Sequence, residues 1–522
     1  MNLAPRPGDA AGGAITRTVP ALTNILAHYG GTFATAVVVL LLTPFLVRHL
    51  GATGFGVWSL TISLGEYLNL LGFGTRAAVI KFTSEHQARR DVSRVADVVR
   101  AAVAGRAVAG VIGFGLACLA AAFLLPALKI PPESLGAART ALIVIGAGVA
   151  INLPLGVSGS LLEGMHRYDL LNWLRIIHAV VRGGAIVVVL LGGGADGLIP
   201  VCVIEVSSMA LLNVARFVAA GRIHPALVTP LLPSREALRG VYAFGLWGGL
   251  MDLAVAVVER ASDLLLVAMV GASAVTAWNI GLRAGSIPVQ IIVPLVVVFL
   301  PLAAEMNIKR SGAMLPDLLV SGSKAVLAVA LPLGIILAIG ARTVVEAWIG
   351  PDYDEAVPLL RLLALHSVLT ALSLPAESLL MGTGRVRALA GILCLRGALG
   401  LTLGILWIQS WGTVGLAGAS VVSAFVVILG LQIPVACRSV GIPLRRFARE
   451  AVIPVLLPAL PLAVAAIAVR PVLAGSRSPA VIFVAVLLLG LYLLLMLLFG
   501  FTPSERLEYS RRLQLLRRRM LE

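Results

Sequence analysis

Apolar stretches separated by short polar segments dominate the pattern along the whole chain. A helix crosses the hydrocarbon core of a bilayer with about 20 mostly apolar residues. The pattern therefore predicts an all-α integral membrane protein with about 14 transmembrane helices. The predicted spans are 24–48, 54–75, 105–127, 138–162, 169–191, 197–217, 241–264, 275–303, 318–341, 358–381, 387–409, 413–436, 451–469 and 480–501.

Two short segments recur along the chain at nearly the same interval. LGATGFGVWSL at 50–60 is matched by VGASAVTAWNI at 270–280, and LLEGMHR at 161–167 is matched by LLMGTGR at 379–385. Internal repeats of this kind are common in transporters, and six predicted helices separate the copies. Because six is even, both halves have the same orientation in the membrane. We therefore predict two parallel six-helix lobes plus two extra C-terminal helices.

The repeat and the spans set the expected domain boundaries. We predict a cytoplasmic N-terminal tail, an N-lobe of helices 1–6, a cytoplasmic linker, a C-lobe of helices 7–12, helices 13–14 and a basic cytoplasmic tail. In that order their ranges are 1–23, 24–220, 221–240, 241–437, 450–502 and 503–522. The N-terminal tail lacks the apolar core and cleavage site of a signal peptide.

Basic residues concentrate in every second loop. With a cytoplasmic N-terminus, roughly 28 of them lie inside and roughly 6 outside, as the positive-inside rule requires. This bias predicts that both termini are cytoplasmic. Arginine far outnumbers lysine, a usage typical of GC-rich bacterial genomes, so we expect a multi-pass protein of the bacterial cytoplasmic (inner) membrane.

Composition narrows the function classes. Only 13% of the residues are charged, against about 25% in soluble domains. The net charge of +16 is spread over the loops, which argues against nucleic-acid binding. The four cysteines lack the spacing of a disulfide framework or a zinc site. No Walker motif, nucleophile elbow or zinc-protease helix occurs, so we expect no enzyme, no metal and no cofactor beyond a coupling H⁺ or Na⁺.

Two stretches in the predicted cytoplasmic segments mix arginines with apolar residues, at 76–100 and 505–522. This pattern is typical of interfacial helices that lie on anionic membrane lipids. Docking of a partner enzyme is the alternative interpretation.

Three basic residues in the fifth predicted span fall on one helical face: Arg175, His178 and Arg182. Ionisable groups inside a span are costly, so they face protein or water and mark candidate sites. A basic stripe suits a diphosphate, because arginine binds phosphate oxygens with paired donors. The alternative is that Arg175 extends to the membrane surface and His178 is simply packed.

An acidic stripe in the seventh predicted span contains Asp252, Glu259 and Asp263. It is open to three interpretations: a structural ion pair between the halves, an H⁺ or cation coupling site, or the lining of a cavity. Three isolated charges near mid-depth are further cavity or coupling candidates: Glu66, Glu205 and Arg396.

Several short motifs resemble those of one transporter family: TPFLVRHLG at 43–51, GFGVW at 54–58, LLGFG at 70–74, PLAAE at 301–305 and WIG at 348–350. With the helix count and the repeat, they make the chain similar to Wzx-type polysaccharide biosynthesis flippases. These flippases belong to the multidrug/oligosaccharidyl-lipid/polysaccharide (MOP) exporter superfamily. The resemblance implies two lobes around a V-shaped cavity.

The resemblance also implies a function. Alternating access would move a polyprenyl-diphosphate-linked oligosaccharide from the cytoplasmic to the periplasmic face, for O-antigen or exopolysaccharide synthesis. Implied partners are the lipid-linked glycan, a polysaccharide polymerase and glycosyltransferases. Three alternatives stay open: a cation-coupled drug or small-metabolite antiporter of the same superfamily, a peptidoglycan-precursor flippase, and a non-transporting scaffold for glycosyltransferases.

Overall fold

The fold comes from a computed structural model, which describes residues 9–72, 74–89, 91–192, 197–223, 232–296, 299, 303, 306, 314–473 and 478–500. Within the helices, the side chains of 9–34, 36 and 244–260 are among those outside the described set. The predicted basic tail at 503–522 and residues 1–8 of the predicted N-terminal tail also lie outside it.

Every regular element in the described ranges is a helix. The chain divides into two compact units, Met1–Ser273 (unit 1) and Ala274–Glu522 (unit 2). The boundary follows the helix at Arg235–Met269, whereas the predicted linker lies at 221–240. The predicted lobes and linker stay predictions.

Unit 1 consists of long helices joined by short turns. Their bounds are α1 Asp9–Asn69, α2 Thr75–Ala88, α3 Val92–Leu119, α4 Pro132–Leu155, α5 Val157–Gly164, α6 Tyr168–Leu191, α7 Leu198–Ile223 and α8 Arg235–Met269, with α9 Ala272–Gly285 beginning at the boundary. A π-helical segment, Ala120–Leu124, extends α3.

Unit 2 has the same character. Its helices are α10 Ile287–Val296, α11 Leu315–Ile339, α12 Ala341–Trp348, α13 Ala356–Gly382, α14 Val386–Ala424, α15 Ile433–Ser439, α16 Leu444–Phe447, α17 Ile453–Leu473 and α18 Ser478–Leu495. The π-helical segment Phe425–Gln432 connects α14 to α15. The extra C-terminal helices belong to this unit, where α17 packs against α11 and Tyr492 beyond it is fully buried.

Local sequence explains where several helices begin and how closely they pack. Asp91 caps α3 by accepting a hydrogen bond from the Arg94 amide at 3.1 Å, and bonds from Ser93 and that amide lower the pKa of the Asp91 carboxyl. Gly110 brings α3 against α4, since a Cβ there would lie 2.9 Å from the Ala150 Cα.

Ten helical segments in the described part of the chain are long and apolar enough to cross a membrane. Two of them are broken by a non-helical glycine, Gly51 in α1 and Gly412 in α14. These breaks fall between consecutive predicted spans. The all-α membrane fold is confirmed, while the count of fourteen spans stays a prediction.

The sequence repeat is also a repeat of backbone geometry. His166 and Gly384 occupy matching positions, and both have a left-handed backbone, with φ of 56° and 77°. In each copy the following arginine amide donates to the carbonyl five residues earlier, Arg167 to Leu162 and Arg385 to Leu380. This is the Schellman pattern that ends many helices.

The other repeated segment, at 50–60 and 270–280, also has a similar structure in its two copies. Gly51 and Gly271 both have positive φ, at 69° and 145°. The matched tryptophans, Trp58 and Trp278, are both buried, with 4% and 3% of their surface exposed. Both copies of this repeat therefore contain a glycine with positive φ followed by a buried tryptophan.

Candidate functional site

The predicted basic stripe lies on α6, and one of its members is an ion-pair partner. Arg182 Nη2 lies 3.3 Å from Glu205 Oε1 on α7, and both side chains are mostly buried. Sequence reasoning assigned these two residues to different roles, diphosphate binding and coupling. The structure pairs them, so the positive charge of Arg182 is compensated within unit 1.

His178 is held one turn away from that pair. Its Nε2 shares a hydrogen bond of 3.3 Å with Ser208 Oγ, and the Ser208 hydroxyl donates to the Glu205 carbonyl at 3.3 Å. Arg175, nearer the predicted cytoplasmic end, is half-buried. The three stripe residues therefore lie along the contact between α6 and α7.

Among the predicted acidic residues, Asp263 lies at the contact between α1 and α8. The Ser63 hydroxyl donates to Asp263 Oδ2 at 2.5 Å, and Tyr67 is within electrostatic range of that carboxylate. Glu66 is exposed on the same stretch of α1. The side chains of Asp252 and Glu259 lie outside the described residues.

Arg396, the predicted candidate in the eleventh span, lies on α14 of unit 2. It is within electrostatic range of His366 on α13, whose Nδ1 donates a hydrogen bond to the Ser420 carbonyl at 3.0 Å. Arg396 therefore belongs to a polar cluster of unit 2, separate in the chain from the α6 stripe.

Sequence reasoning missed a polar cavity in unit 1, which we call the arginine cavity. It has a volume of about 410 Å³ and is lined by three arginines, three asparagines and three glycines among twelve residues. The lining residues are Asn69, Leu70, Gly72, Gly74, Arg76, Arg106, Asn152, Leu153, Gly156, Met209, Asn213 and Arg216.

The three arginines differ in how their charge is balanced. Arg76 Nη2 forms an ion pair with Glu163 Oε2 at 2.7 Å. Arg106 Nε donates to the Thr75 hydroxyl at 2.6 Å, and Arg216 Nη1 donates to Asn213 Oδ1 at 3.1 Å. Both of those acceptors are neutral oxygens.

An amide relay holds Arg216 against the cavity. Asn152 on α4 donates to the Val206 carbonyl on α7 at 3.1 Å, which fixes the Asn152 side chain. Its Oδ1 accepts from Asn213 Nδ2 at 3.2 Å, so the oxygen of Asn213 is left to accept from Arg216. The buried Arg216 Nε has no hydrogen-bond partner in the described ranges.

The cavity continues into the predicted stripe. Arg216 lies within electrostatic range of Arg175, and His178 lies within range of both Arg216 and Arg182. Basic side chains therefore extend from Arg106 through Arg216 to α6. In sequence the cavity arginines looked like ordinary loop charges. The asparagines Asn69, Asn152 and Asn213, which lie within apolar helices, were the sequence signal that distinguishes this site from a loop.

Unit 2 contains a polar cluster of opposite charge. The Glu377 carboxylate on α13 accepts hydrogen bonds from the Ser373 hydroxyl at 2.7 Å and from Gln432 Nε2 at 3.2 Å. Gln432 Nε2 also donates to the Ser373 carbonyl at 3.2 Å. Sequence reasoning did not single out Glu377.

The sequence of the chain matches one known protein family. The family described as "Polysaccharide biosynthesis protein" matches residues 21–307. No curated protein sequence matches the chain.

Solved structures share the fold at low sequence identity. A lipid II flippase, MurJ, in an inward closed conformation has a TM-score of 0.72 and 11% identity, covering 91% of this chain and 98% of that chain. An inward-facing multidrug resistance MATE family transporter of the MOP superfamily has a TM-score of 0.62 and 15% identity, with 79% and 94% covered. An outward-facing one has 0.58 and 16%, with 80% and 95% covered. The predicted resemblance to polysaccharide biosynthesis proteins is confirmed, and these transporters share the fold of the chain.

Proposed function

The chain belongs to the polysaccharide biosynthesis protein family, and on that premise we propose that it flips a polyprenyl-diphosphate-linked oligosaccharide. The lipid moves from the cytoplasmic to the periplasmic face of the bacterial inner membrane, for O-antigen or exopolysaccharide synthesis. The movement is alternating access, a proposal supported by the inward- and outward-facing transporters that share the fold.

One observation carries the proposal: several basic side chains of unit 1 lie close to one another in space. Arg216 is within range of Arg175, and His178 within range of Arg182. A diphosphate pays a large desolvation cost in hydrocarbon, and guanidinium groups offset that cost with paired, charge-assisted hydrogen bonds. The oligosaccharide follows a polar path, while the polyprenyl chain stays in the lipid.

The same observation ranks the flipping alternatives. A peptidoglycan-precursor flippase also handles a diphosphate-linked headgroup and uses the same cationic path. The fold shared with the lipid II flippase supports it as the second candidate. The glycan attached to the diphosphate is what separates the two.

A cation-coupled drug or metabolite antiporter is favoured by a different observation. Asp263 accepts a short hydrogen bond from Ser63 at the contact of α1 and α8, near Tyr67. We assign this acidic group, with Glu66, to H⁺ or Na⁺ coupling of lipid movement. In the antiporter alternative the same group binds a cationic substrate.

Depletion of the chain in its host tests the proposal. A membrane-impermeant aldehyde-generating oxidant, added to spheroplasts, labels only oligosaccharide lipid on the outer face. We expect depletion to raise the total oligosaccharide lipid and to make most of it inaccessible to the oxidant. An unchanged distribution, with or without altered drug sensitivity, would contradict flipping.

Two matched arginine variants separate transport from scaffolding. Arg175→Gln removes a stripe charge that has no ion pair within 4.0 Å in the described residues. Arg387→Gln removes an exposed charge from α14. We expect export to fall in Arg175→Gln and to stay at the wild-type level in Arg387→Gln. The reverse pattern indicates a scaffold that recruits glycosyltransferases through its cytoplasmic arginines.

A further inference from the structure

Two arginines of the arginine cavity have no ion-pair partner among the described residues of unit 1. Arg106 and Arg216 have no carboxylate within 4.0 Å in the described part of the chain, and their acceptors are the Thr75 hydroxyl and the Asn213 amide. Glu163, whose field reaches Arg216, is paired with Arg76 at 2.7 Å. Partly buried cations without counter-charge are costly, and a bound anion removes that cost.

The donors that face the cavity are those that bind phosphate. Guanidinium groups match phosphate oxygens with two donors each. The side chain of Arg216 lines the cavity, and its buried Nε has no acceptor in the described ranges, so the described protein does not fully satisfy this guanidinium. Amide side chains of Asn69 and Asn152 add neutral donors and acceptors to the lining.

A helix N-terminus adds backbone donors to the same cavity. Gly74, which lines the cavity, is the N-cap of α2, with φ 56° and no side-chain cap. The first amides of a helix have no intrahelical acceptor, and the helix dipole favours an anion beside them. The left-handed backbone at Gly74 explains why a glycine stands there.

The cavity has room for the ligand because glycines line it. A Cβ at Gly72 would contact Arg106 Nε at 3.6 Å, and a Cβ at Gly156 would lie 3.6 Å from Arg106 Nη1. Small-ligand sites are typically about 300–1,000 Å³, and the cavity measures about 410 Å³. That space accommodates a diphosphate together with neighbouring polar groups.

We propose that the arginine cavity is a binding site for the phosphate groups of a lipid headgroup, with Arg106 and Arg216 as its charged ligands. The site is formed by α3, α4, α7 and the residues before α2, next to the α6 stripe. It goes beyond the proposed function, because binding here requires no translocation. Two lipids share this chemistry: a polyprenyl-diphosphate substrate and an anionic phospholipid.

Direct binding to the full-length chain in phosphatidylcholine nanodiscs tests the inference. The probes are geranylgeranyl diphosphate, geranylgeranyl monophosphate and added phosphatidylglycerol. We expect the wild type to bind the diphosphate, and Arg106→Gln and Arg216→Gln each to weaken that binding about tenfold or more, the range of a lost charge-assisted hydrogen bond. Arg387→Gln, an exposed arginine outside the cavity, should bind as the wild type does.

Two further variants keep the test independent of folding. Arg216→Lys keeps the charge but loses the paired donors, and should retain more affinity than Arg216→Gln. Gly72→Leu fills the cavity without changing any arginine, and should abolish binding. Wild-type affinity in Arg106→Gln, Arg216→Gln and Gly72→Leu, each with an unchanged melting temperature, would overturn the site.

Competition identifies the lipid. Displacement of the diphosphate by bilayer levels of phosphatidylglycerol, with equal loss in the arginine variants, supports the site and assigns it to membrane phospholipid. A preference of tenfold or more for the diphosphate over phosphatidylglycerol supports the site and assigns it to substrate. Binding that persists in a chain with no flipping activity leaves this inference standing while the proposed function fails.

Discussion

Each unit has a buried side-chain amide that links two helices. The amide of unit 1 contacts an arginine, whereas the amide of unit 2 contacts a glutamate. Asn213 is 3% exposed and accepts from Arg216, whereas Gln432 is fully buried and donates to Glu377. The interval from 213 to 432 equals that of both sequence echoes, 51 to 271 and 164 to 382, within one residue.

Duplication therefore preserved the arrangement of the helices, while the charged residue beside the amide came to differ in sign between the units. In unit 2 the carboxylate of Glu377 receives two hydrogen bonds from neutral donors of its own unit. In unit 1 the guanidinium of Arg216 keeps an unused donor and lines a cavity. In the described residues both clusters contain one buried polar atom without a partner, Arg216 Nε in unit 1 and Gln432 Oε1 in unit 2. The difference lies in the charged group: neutral donors of unit 2 surround its carboxylate, whereas the guanidinium of unit 1 lines a cavity that we propose to bind an anion.

The largest effect on stability is expected at the ion pair between Arg182 and Glu205. Arg182→Ala removes the 3.3 Å partner of Glu205, and breaking a buried ion pair from one side costs about 3 kcal/mol or more. We expect a lower melting temperature in detergent, with much of the loss recovered in the Arg182→Gln/Glu205→Gln double variant. If the double variant is as unstable as the sum of the singles, the two charges are not coupled.

The second effect concerns the Glu377 cluster of unit 2. Glu377→Leu removes the acceptor shared by Ser373 and Gln432, and we expect a loss of about 2 kcal/mol in unfolding free energy. Glu377→Gln retains an oxygen in that place and should lose less than about 1 kcal/mol. Equal losses in both variants would mean that the charge of Glu377, rather than its acceptor oxygen, stabilises the cluster.

Substitutions in the duplicated turn should change the stability by a smaller amount, with opposite signs in the two copies. Gly384 has φ 77° and its Cβ position is open, so Gly384→Ala adds only backbone strain, about 1 kcal/mol. His166 occupies the matching position with φ 56°, and His166→Gly should therefore shift the stability in the opposite direction. Thermal unfolding of the two variants measures both shifts, and shifts of the same sign would refute the equivalence of the turns.

The smallest stability effect is expected at Arg216, which makes it the sharpest contrast with Arg182. Arg216→Gln removes a charge that has no carboxylate partner within 4.0 Å in the described residues. We expect the ligand-free chain to change by less than about 0.5 kcal/mol, or to become more stable. A loss as large as that of Arg182→Ala would show that unit 1 already compensates Arg216, and the contrast between the units would disappear.

The sequence alone predicted the membrane fold well, because the length of an apolar stretch and the basic residues in the loops indicate where a helix crosses the bilayer. The predicted breaks at 48–54 and 409–413 coincide with the non-helical glycines Gly51 and Gly412. The position of the unit boundary was not apparent, since the sequence of α8 does not show which unit the helix packs against. Packing preference between two apolar surfaces leaves little trace in a single sequence.

The candidate site was predicted only in part. Depth in a span identified Arg182 and Glu205 as unusual, but one-dimensional spacing does not show that they meet across two helices. Arg106 and Arg216 lie at the ends of two predicted spans, 105–127 and 197–217, where arginine is normally a topology signal. Their proposed role depends on the asparagines of α4 and α7 and on Gly72, Gly74 and Gly156, which come together only in three dimensions.

The most direct test of the central claim is lipid movement in liposomes that contain the purified chain and a fluorescent polyprenyl-diphosphate oligosaccharide. Loss of fluorescence to a membrane-impermeant quencher measures how much lipid reaches the outer leaflet. We predict that the wild-type chain makes both leaflets exchange this lipid, and that Arg175→Gln slows the exchange while Arg387→Gln does not. Exchange no faster than in protein-free liposomes would contradict the account.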